Sequence, residues 1–128
     1  MRLNQVTVGA TDYAQSVAFY QRLGLRQIVD SPPHYARFEL PDGDSTFSIH
    51  LVDTPPSAEF PLVYFETHAL DAEVARLKAA GVAFDADPKD QRWAWREAYL
   101  RDPAGNRICL YEAGVNRRYP PWRIDIKG

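Results

Sequence analysis

Apolar residues recur along this chain at two alternating periods, and each change of period marks the boundary of an element. From Leu3 to Ala10, Val6 and Val8 alternate with Gln5 and Thr7, which predicts a half-buried strand. Thr11-Asp12 then offers an N-cap, and Tyr13, Val17, Tyr20 and Leu23 follow at helical spacing until Gly24, which predicts a helix over Tyr13 to Leu23. Leu25 to Asp30 reads as a short strand stopped by Ser31-Pro32-Pro33. Tyr35 to Leu40 is another, and the turn Pro41-Asp42-Gly43-Asp44 leads into a third, Thr46 to Val52. The first half therefore reads β-α-β-β-β.

After a loop containing Pro55-Pro56 the same order begins again. Leu62 to Thr67 predicts a strand, Leu70 to Ala80 a helix ended by Gly81, and Val82 to Asp85 a strand. Tyr99 to Glu112 alternates on both sides of Asp102-Pro103-Ala104-Gly105-Asn106, where Pro presets φ and Gly and Asn tolerate positive φ, so it reads as a hairpin. Local sequence repeats as well: Ser-Val-Ala-Phe-Tyr-Gln-Arg-Leu-Gly-Leu from Ser16 aligns with Glu-Val-Ala-Arg-Leu-Lys-Ala-Ala-Gly-Val from Glu73 at a shift of about 57 residues. The fold class expected is α+β: two tandem βαβββ modules, near residues 3–52 and 61–113, forming a curved eight-stranded cup with the helices outside.

Composition narrows the picture further. With 128 residues, 45% hydrophobic and 12% aromatic, the chain is expected to be one globular domain with a real core. Fifteen Lys and Arg against seventeen Asp and Glu, a formal net charge of −2, with no basic run except the pair Arg117-Arg118, give a nucleic-acid role little electrostatic support, and none is expected. One cysteine excludes an internal disulfide, and neither a signal-peptide core nor a membrane-length apolar run is present, so a cytoplasmic location and no membrane partner are expected.

Candidate chemistry follows from strand parity. If Val6, Val8, Phe47, Ile49, Val63, Phe65, Ile108 and Leu110 face the core, the opposite faces carry Gln5, Thr7, Ser48, His50, Leu62, Tyr64, Glu66, Cys109 and Tyr111. Arg37, Trp95, Glu97 and Tyr99 join them by the same rule. His50 is the best single candidate for ligand binding or proton transfer, since an ordinary imidazole titrates near neutrality; the alternative is a histidine merely bonded to a neighbour. Glu97, a second candidate catalytic group, and Arg37 are charges on inward faces, which must pair or hold a polar ligand. The aromatic set Tyr64, Trp93, Trp95, Tyr99 and Tyr111 fits either edge packing or an apolar pocket wall. Cys109 reads as a small buried residue before it reads as a nucleophile.

Asp12 with Ser16-Val-Ala-Phe-Tyr and Leu23-Gly24, the helix Glu73-Val-Ala-Arg-Leu ending at Gly81, and Asp102-Pro-Ala-Gly-Asn with Leu110-Tyr-Glu resemble the vicinal oxygen chelate superfamily of glyoxalase I, extradiol dioxygenases, and fosfomycin and bleomycin resistance proteins. The resemblance covers residues 3 to 113 and implies the fold, not the reaction. It places the metal ligands of metal-dependent members at Gln5, His50, Leu62 and Cys109. Leu62 has no donor atom and Cys109 is a soft replacement for a carboxylate, so no metal or other cofactor is expected. The resemblance also implies a homodimer.

The tail from Gly114 to Gly128 lies outside the repeat. Its prolines at 120 and 121 exclude a helix, and Trp122 is poorly suited to lie loose in water, so a strap is expected that seals the core, closes the cup or reaches a second subunit. The leading functional expectation is a metal-independent binder of a small molecule, flat and partly aromatic or oxyanionic, in the β-cup, with Gln5, Arg37, His50, Tyr64, Trp95, Glu97, Tyr99 and Tyr111 as its site. The alternatives are a glyoxalase-like lyase or isomerase, or dioxygenase-type enzyme, with an atypical divalent metal held by Gln5, His50 and Cys109 or Glu97; a metal-free acid/base catalyst using His50; and a structural or regulatory dimer.

Overall fold

The first helix is fixed at both ends by its own sequence. Asp12 accepts a hydrogen bond from the Gln15 backbone N–H at 3.1 Å, and Gly24 closes the last turn at φ 104°, a conformation that a side chain disfavours. The chain is described from a computed structural model over residues 1–125. Its order is β1 (Gln5–Ala10), α1 (Tyr13–Leu23), β2 (Arg26–Ser31), β3 (Tyr35–Glu39), β4 (Thr46–Leu51), β5 (Leu62–Glu66), α2 (Leu70–Ala79), β6 (Lys89–Asp90), β7 (Arg96–Arg101) and β8 (Arg107–Glu112), with a short 3-10 turn at Gly114–Asn116.

The strands form two four-stranded sheets, β1-β4-β3-β2 and β5-β8-β7-β6, so the βαβββ order expected twice is present twice. In each sheet the module's first strand lies beside its last, and β1 runs parallel to β4. The chain divides into two compact units: Met1–Leu62 with the turn Arg101–Arg107, and Val63–Leu100 with the chain from Ile108 onward. Among the described residues no helix is long and apolar enough to cross a membrane.

In the first unit α1 packs on one face of its sheet. The Tyr20 ring lies 4.6 Å from Phe47 and 6.0 Å from Phe38, and Phe38, Phe47 and Ile49 are buried there as parity required. The turn between β7 and β8 is tied into this core. Asp102 is 5% exposed and accepts four hydrogen bonds: from Tyr20 Oη at 2.6 Å, Asn106 Nδ2 at 2.8 Å, Asn106 N at 2.8 Å and Ala104 N at 3.0 Å. Asn106 Nδ2 also donates to the Gly9 carbonyl at 2.8 Å, so the turn is bonded to β1. Burial, and then the Asp102 charge and hydrogen bond, push the Tyr20 phenol far above its ordinary range.

In the second unit Leu70, Val74 and Leu77 of α2 are buried with Ala98, Leu100, Ile108 and Leu110. No local side chain caps α2; Glu112 does so from β8, accepting from the Leu70 N–H at 3.0 Å. Arg96 holds Asp71 on α2 at 3.0 Å and Asp90 on β6 at 3.1 Å.

One expectation needs correction. Val82 to Asp85 is not a strand: it makes a single bridge, Phe84 to Leu100, and the sixth strand is the two-residue Lys89–Asp90 beyond Pro88. Asp85, Asp87 and Pro88 interrupt any ladder there, since Pro has no N–H to give. At the start of the tail expected to form a strap, Asn116 O accepts from Trp95 Nε1 at 3.2 Å and Arg117 lies 4.0 Å from Glu66. Trp122 is 56% exposed, and the strap's last residues, 126–128, lie outside the described residues.

The tip of the β6–β7 hairpin is strained. Ala94 sits at φ 66°, the left-handed position that a glycine fills in three-residue hairpin loops, while Gln91 and Trp95 close the loop through a 2.7 Å backbone bond. Ala94→Gly is expected to raise stability by about 1 kcal/mol, read as a higher denaturation midpoint at an unchanged m-value.

Candidate functional site

The face of the first sheet opposite α1 is polar, and register sets its rows. Thr7, Ser48 and Arg37 are neighbours across β1, β4 and β3, with His50 opposite Tyr35 in the row on one side and Gln5 opposite Thr46 in the row on the other. Each group is bonded locally. Thr46 Oγ1 donates to Gln5 Oε1 at 2.7 Å, the Thr7 and Ser48 hydroxyls are 2.5 Å apart, and His50 Nδ1 lies 2.9 Å from the Leu51 carbonyl. Arg37 Nε donates to the Tyr35 hydroxyl at 2.8 Å, and its guanidinium carbon stands 5.4 Å from that ring's centre. His50 is exposed and edge-on to Tyr35 at 6.5 Å.

Tyr35 is the residue that parity should have found and the candidate set lacked. It shares a strand and a face with Arg37, and its phenol oxygen lies among Ser48, Arg37 and Gln5. Burial pushes its pKa up, but hydrogen bonds from Ser48 and Arg37, the Arg37 charge and a hydrogen bond from Gln5 outweigh this, leaving it below the ordinary value. Because the folded value is the lower one, the shift adds stability only in alkaline solution and none near neutrality. Ultraviolet titration should show a phenolate component ionising below the usual tyrosine range, and Tyr35→Phe should remove that component.

The face of the second sheet opposite α2 is aromatic. Trp95 stacks on Tyr111, with ring centres 4.6 Å apart and planes 18° from parallel, and Tyr64 stands edge-on to both at 5.8 and 5.6 Å. Tyr64 is 45% exposed whereas Tyr111 is only 6% exposed, so the cluster offers an accessible edge on a buried base. Beside it Glu97, 2% exposed, accepts from Tyr99 Oη at 2.6 Å and Trp93 Nε1 at 3.0 Å. Burial, then the Glu97 hydrogen bond and the neighbouring Cys109 and Glu97 charges, push the Tyr99 phenol well up; burial and Glu66 raise Tyr111, with Arg117 opposing. Glu97 and Arg37, the two inward charges, thus each find partners inside their own module.

The donor set does not fit a metal at the expected positions. Leu62 is hydrocarbon, the Cys109 thiol is fully buried and directed to the Leu110 carbonyl at 3.6 Å, and Gln5 Oε1 is occupied by Thr46. Among the described residues no three His, Cys, Asp or Glu side chains are grouped closely enough to hold an ion. A groove of about 430 Å³ also runs past Trp95, lined by His68, Asp90, Arg96 and Glu112 among others. Its charges are committed to structure: Arg96 to Asp71 and Asp90, and Glu112 to the α2 N-terminus.

Residues 2–110 match the sequence model of the Glyoxalase/Bleomycin resistance protein/Dioxygenase superfamily. The chain belongs to that superfamily. Solved members of similar fold include a glyoxalase/bleomycin resistance protein/dioxygenase from Nocardioides, at TM-score 0.78 and 22% identity over 98% of this chain and 90% of that one. A lactoylglutathione lyase from Agrobacterium tumefaciens matches at TM-score 0.73 and 18% identity, over 89% and 95%. A bleomycin-binding protein complexed with bleomycin matches at TM-score 0.71 and 20% identity, over 88% and 98%. No curated protein matches in sequence. These identities carry the glyoxalase/bleomycin resistance fold and leave the reaction to the residues of this member.

Proposed function

We propose that this superfamily member is a metal-independent binder of a small, flat, partly aromatic molecule, which lies against the Tyr64–Trp95–Tyr111 cluster. One observation carries the reading: three rings packed on each other within one sheet face, with Tyr64 45% exposed. A stacking surface for a flat ligand must keep a ring edge accessible on a packed base, and this cluster does so. Glu97 is fixed by Trp93 and Tyr99 and so keeps its neighbours' rings in place, a positioning role in place of the catalytic role considered from sequence. The bleomycin-binding protein of similar fold, solved with its small molecule bound, supports the class of activity and not the identity of this ligand. Enzyme chemistry through a divalent ion has less support, because of the donors at Gln5, His50, Leu62 and Cys109 described above.

The reading is tested by thermal-shift screening of uncharged planar aromatic compounds against wild type and Tyr64→Ala. A compound that binds only the folded protein raises Tm by mass action, and at a hundredfold excess over Kd the gain is about 2.7 kcal/mol. The expected result is a hit whose shift is clearly smaller in Tyr64→Ala, by about 1 kcal/mol for a several-fold rise in Kd. Hits that respond equally in both proteins would reject the cluster as the site.

A further inference from the structure

The first sheet carries a cation that the fold does not neutralise. Arg37 is half-buried, and Tyr35 is its partner through Nε alone. Among the described residues no carboxylate pairs with it; Glu39, the acid on the same strand and face, is engaged by Arg26 at 3.7 Å. The two terminal nitrogens of its guanidinium, the pair whose spacing matches a carboxylate or phosphate edge, have no partner among the described residues.

Neutral donors surround this group in register. Ser48 is opposite Arg37 on β4 and Thr7 is opposite Ser48 on β1, with hydroxyl oxygens 2.5 Å apart. Ser48, fully buried, gives its hydrogen to the Tyr35 phenol and takes that of Thr7, so the Tyr35 hydroxyl, which accepts from Ser48 and from Arg37 Nε, keeps its own hydrogen to donate outward. His50, opposite Tyr35, donates Nδ1–H to the Leu51 carbonyl, so Nε2 of its neutral ring is an acceptor and takes no part in gripping an anion. The Tyr35 phenol supplies an internal probe: despite burial, its ionised form is favoured here by Ser48, Arg37 and Gln5, so this spot stabilises a negatively charged oxygen.

We propose that this face is a binding site for one oxyanion group, the carboxylate or phosphate of a small molecule, gripped by the Arg37 terminal nitrogens and seconded by the Tyr35 hydroxyl at the end of the Thr7–Ser48 hydroxyl relay. It goes beyond the aromatic reading of the second sheet and does not depend on it.

The test titrates isotopically labelled protein at neutral pH with inorganic phosphate and, separately, with acetate, using chloride at matched ionic strength as the control. The backbone amides of Tyr35, Arg37 and Ser48 and the Arg37 Nε–H should move saturably with at least one of the two oxyanions and not with chloride. Arg37→Gln should weaken that binding at least about tenfold, as expected for losing a charged hydrogen-bond donor. Arg37→Lys, which keeps the charge and loses the fork, is the second variant and should bind measurably more weakly than wild type. Movement that follows ionic strength alike in all three salts would overturn the proposal, as would equal affinities in wild type and whichever variants fold. Neither probe has a ring, so failure here leaves the aromatic reading standing, and failure of planar uncharged compounds leaves this one.

Discussion

Asp102→Ala is expected to be the most damaging single substitution in the chain, lowering stability by about 3 to 4 kcal/mol and Tm by roughly 10 to 15 °C. The carboxylate is 5% exposed and receives Tyr20 Oη, Asn106 Nδ2 and the Ala104 and Asn106 backbone N–H groups. Removing it leaves all four donors without that acceptor, and a buried donor left unsatisfied costs about 1 to 3 kcal/mol. Asn106 loses its orientation at the same time, and with it the bond to the Gly9 carbonyl. Tyr20→Phe removes one donor and keeps the ring packed on Phe47, so it should cost about half as much, near 1.5 to 2 kcal/mol. Urea melts of both variants check the order. If Asp102→Ala melted within a few tenths of a kcal/mol of wild type, the turn would not be the anchor described.

That anchor shows where sequence reading reached its limit. The stretch Asp102-Pro103-Ala104-Gly105-Asn106 was legible as a turn because its φ preferences are local. Its burial was not, because Tyr20 lies 82 residues away in sequence and nothing local announces the contact. The same division holds elsewhere. Both ends of α1 were readable to the residue from Asp12 and Gly24, whereas α2 is capped by Glu112, 42 positions downstream. The strand Lys89–Asp90 is exposed and wholly polar, so no periodicity could mark it. On the site, parity assigned Arg37, His50, Tyr64, Trp95, Glu97, Tyr99 and Tyr111 to the helix-free faces. It could not say that Glu97 would be fully committed to Trp93 and Tyr99, or that Tyr35 would be Arg37's partner, because those choices are made by rotamers within the face.

Trp95→Ala should have the largest effect on binding and a substantial one on stability. The substitution removes the stack on Tyr111, the edge contact with Tyr64 and the hydrogen bond to the Asn116 carbonyl that holds the start of the tail. A half-buried tryptophan with these contacts is expected to cost about 2 to 3 kcal/mol on truncation. Affinity for a flat aromatic ligand should fall at least about tenfold, because the ring that joins Tyr64 to Tyr111 in the cluster is gone. Tyr64→Ala separates the two effects: at 45% exposure it should change stability by less than about 1 kcal/mol while still weakening binding several-fold. Calorimetric titration together with a thermal melt on each variant reads both quantities.

The central claim, that a small molecule stacks on the ring cluster of the second sheet, is tested most directly by the indole N–H resonances. The chain has three tryptophans, each with one such signal, and they sit in different surroundings: Trp95 in the cluster, Trp93 bonded to Glu97, and Trp122 exposed in the tail. Titration with an uncharged planar aromatic hit from the thermal screen should move the Trp95 signal saturably, with Trp122 unmoved and the midpoint of the Trp95 response shifted several-fold higher in Tyr64→Ala. Saturable movement of Trp122 with Trp95 unchanged, or drift of all three signals in proportion to added compound, would contradict it.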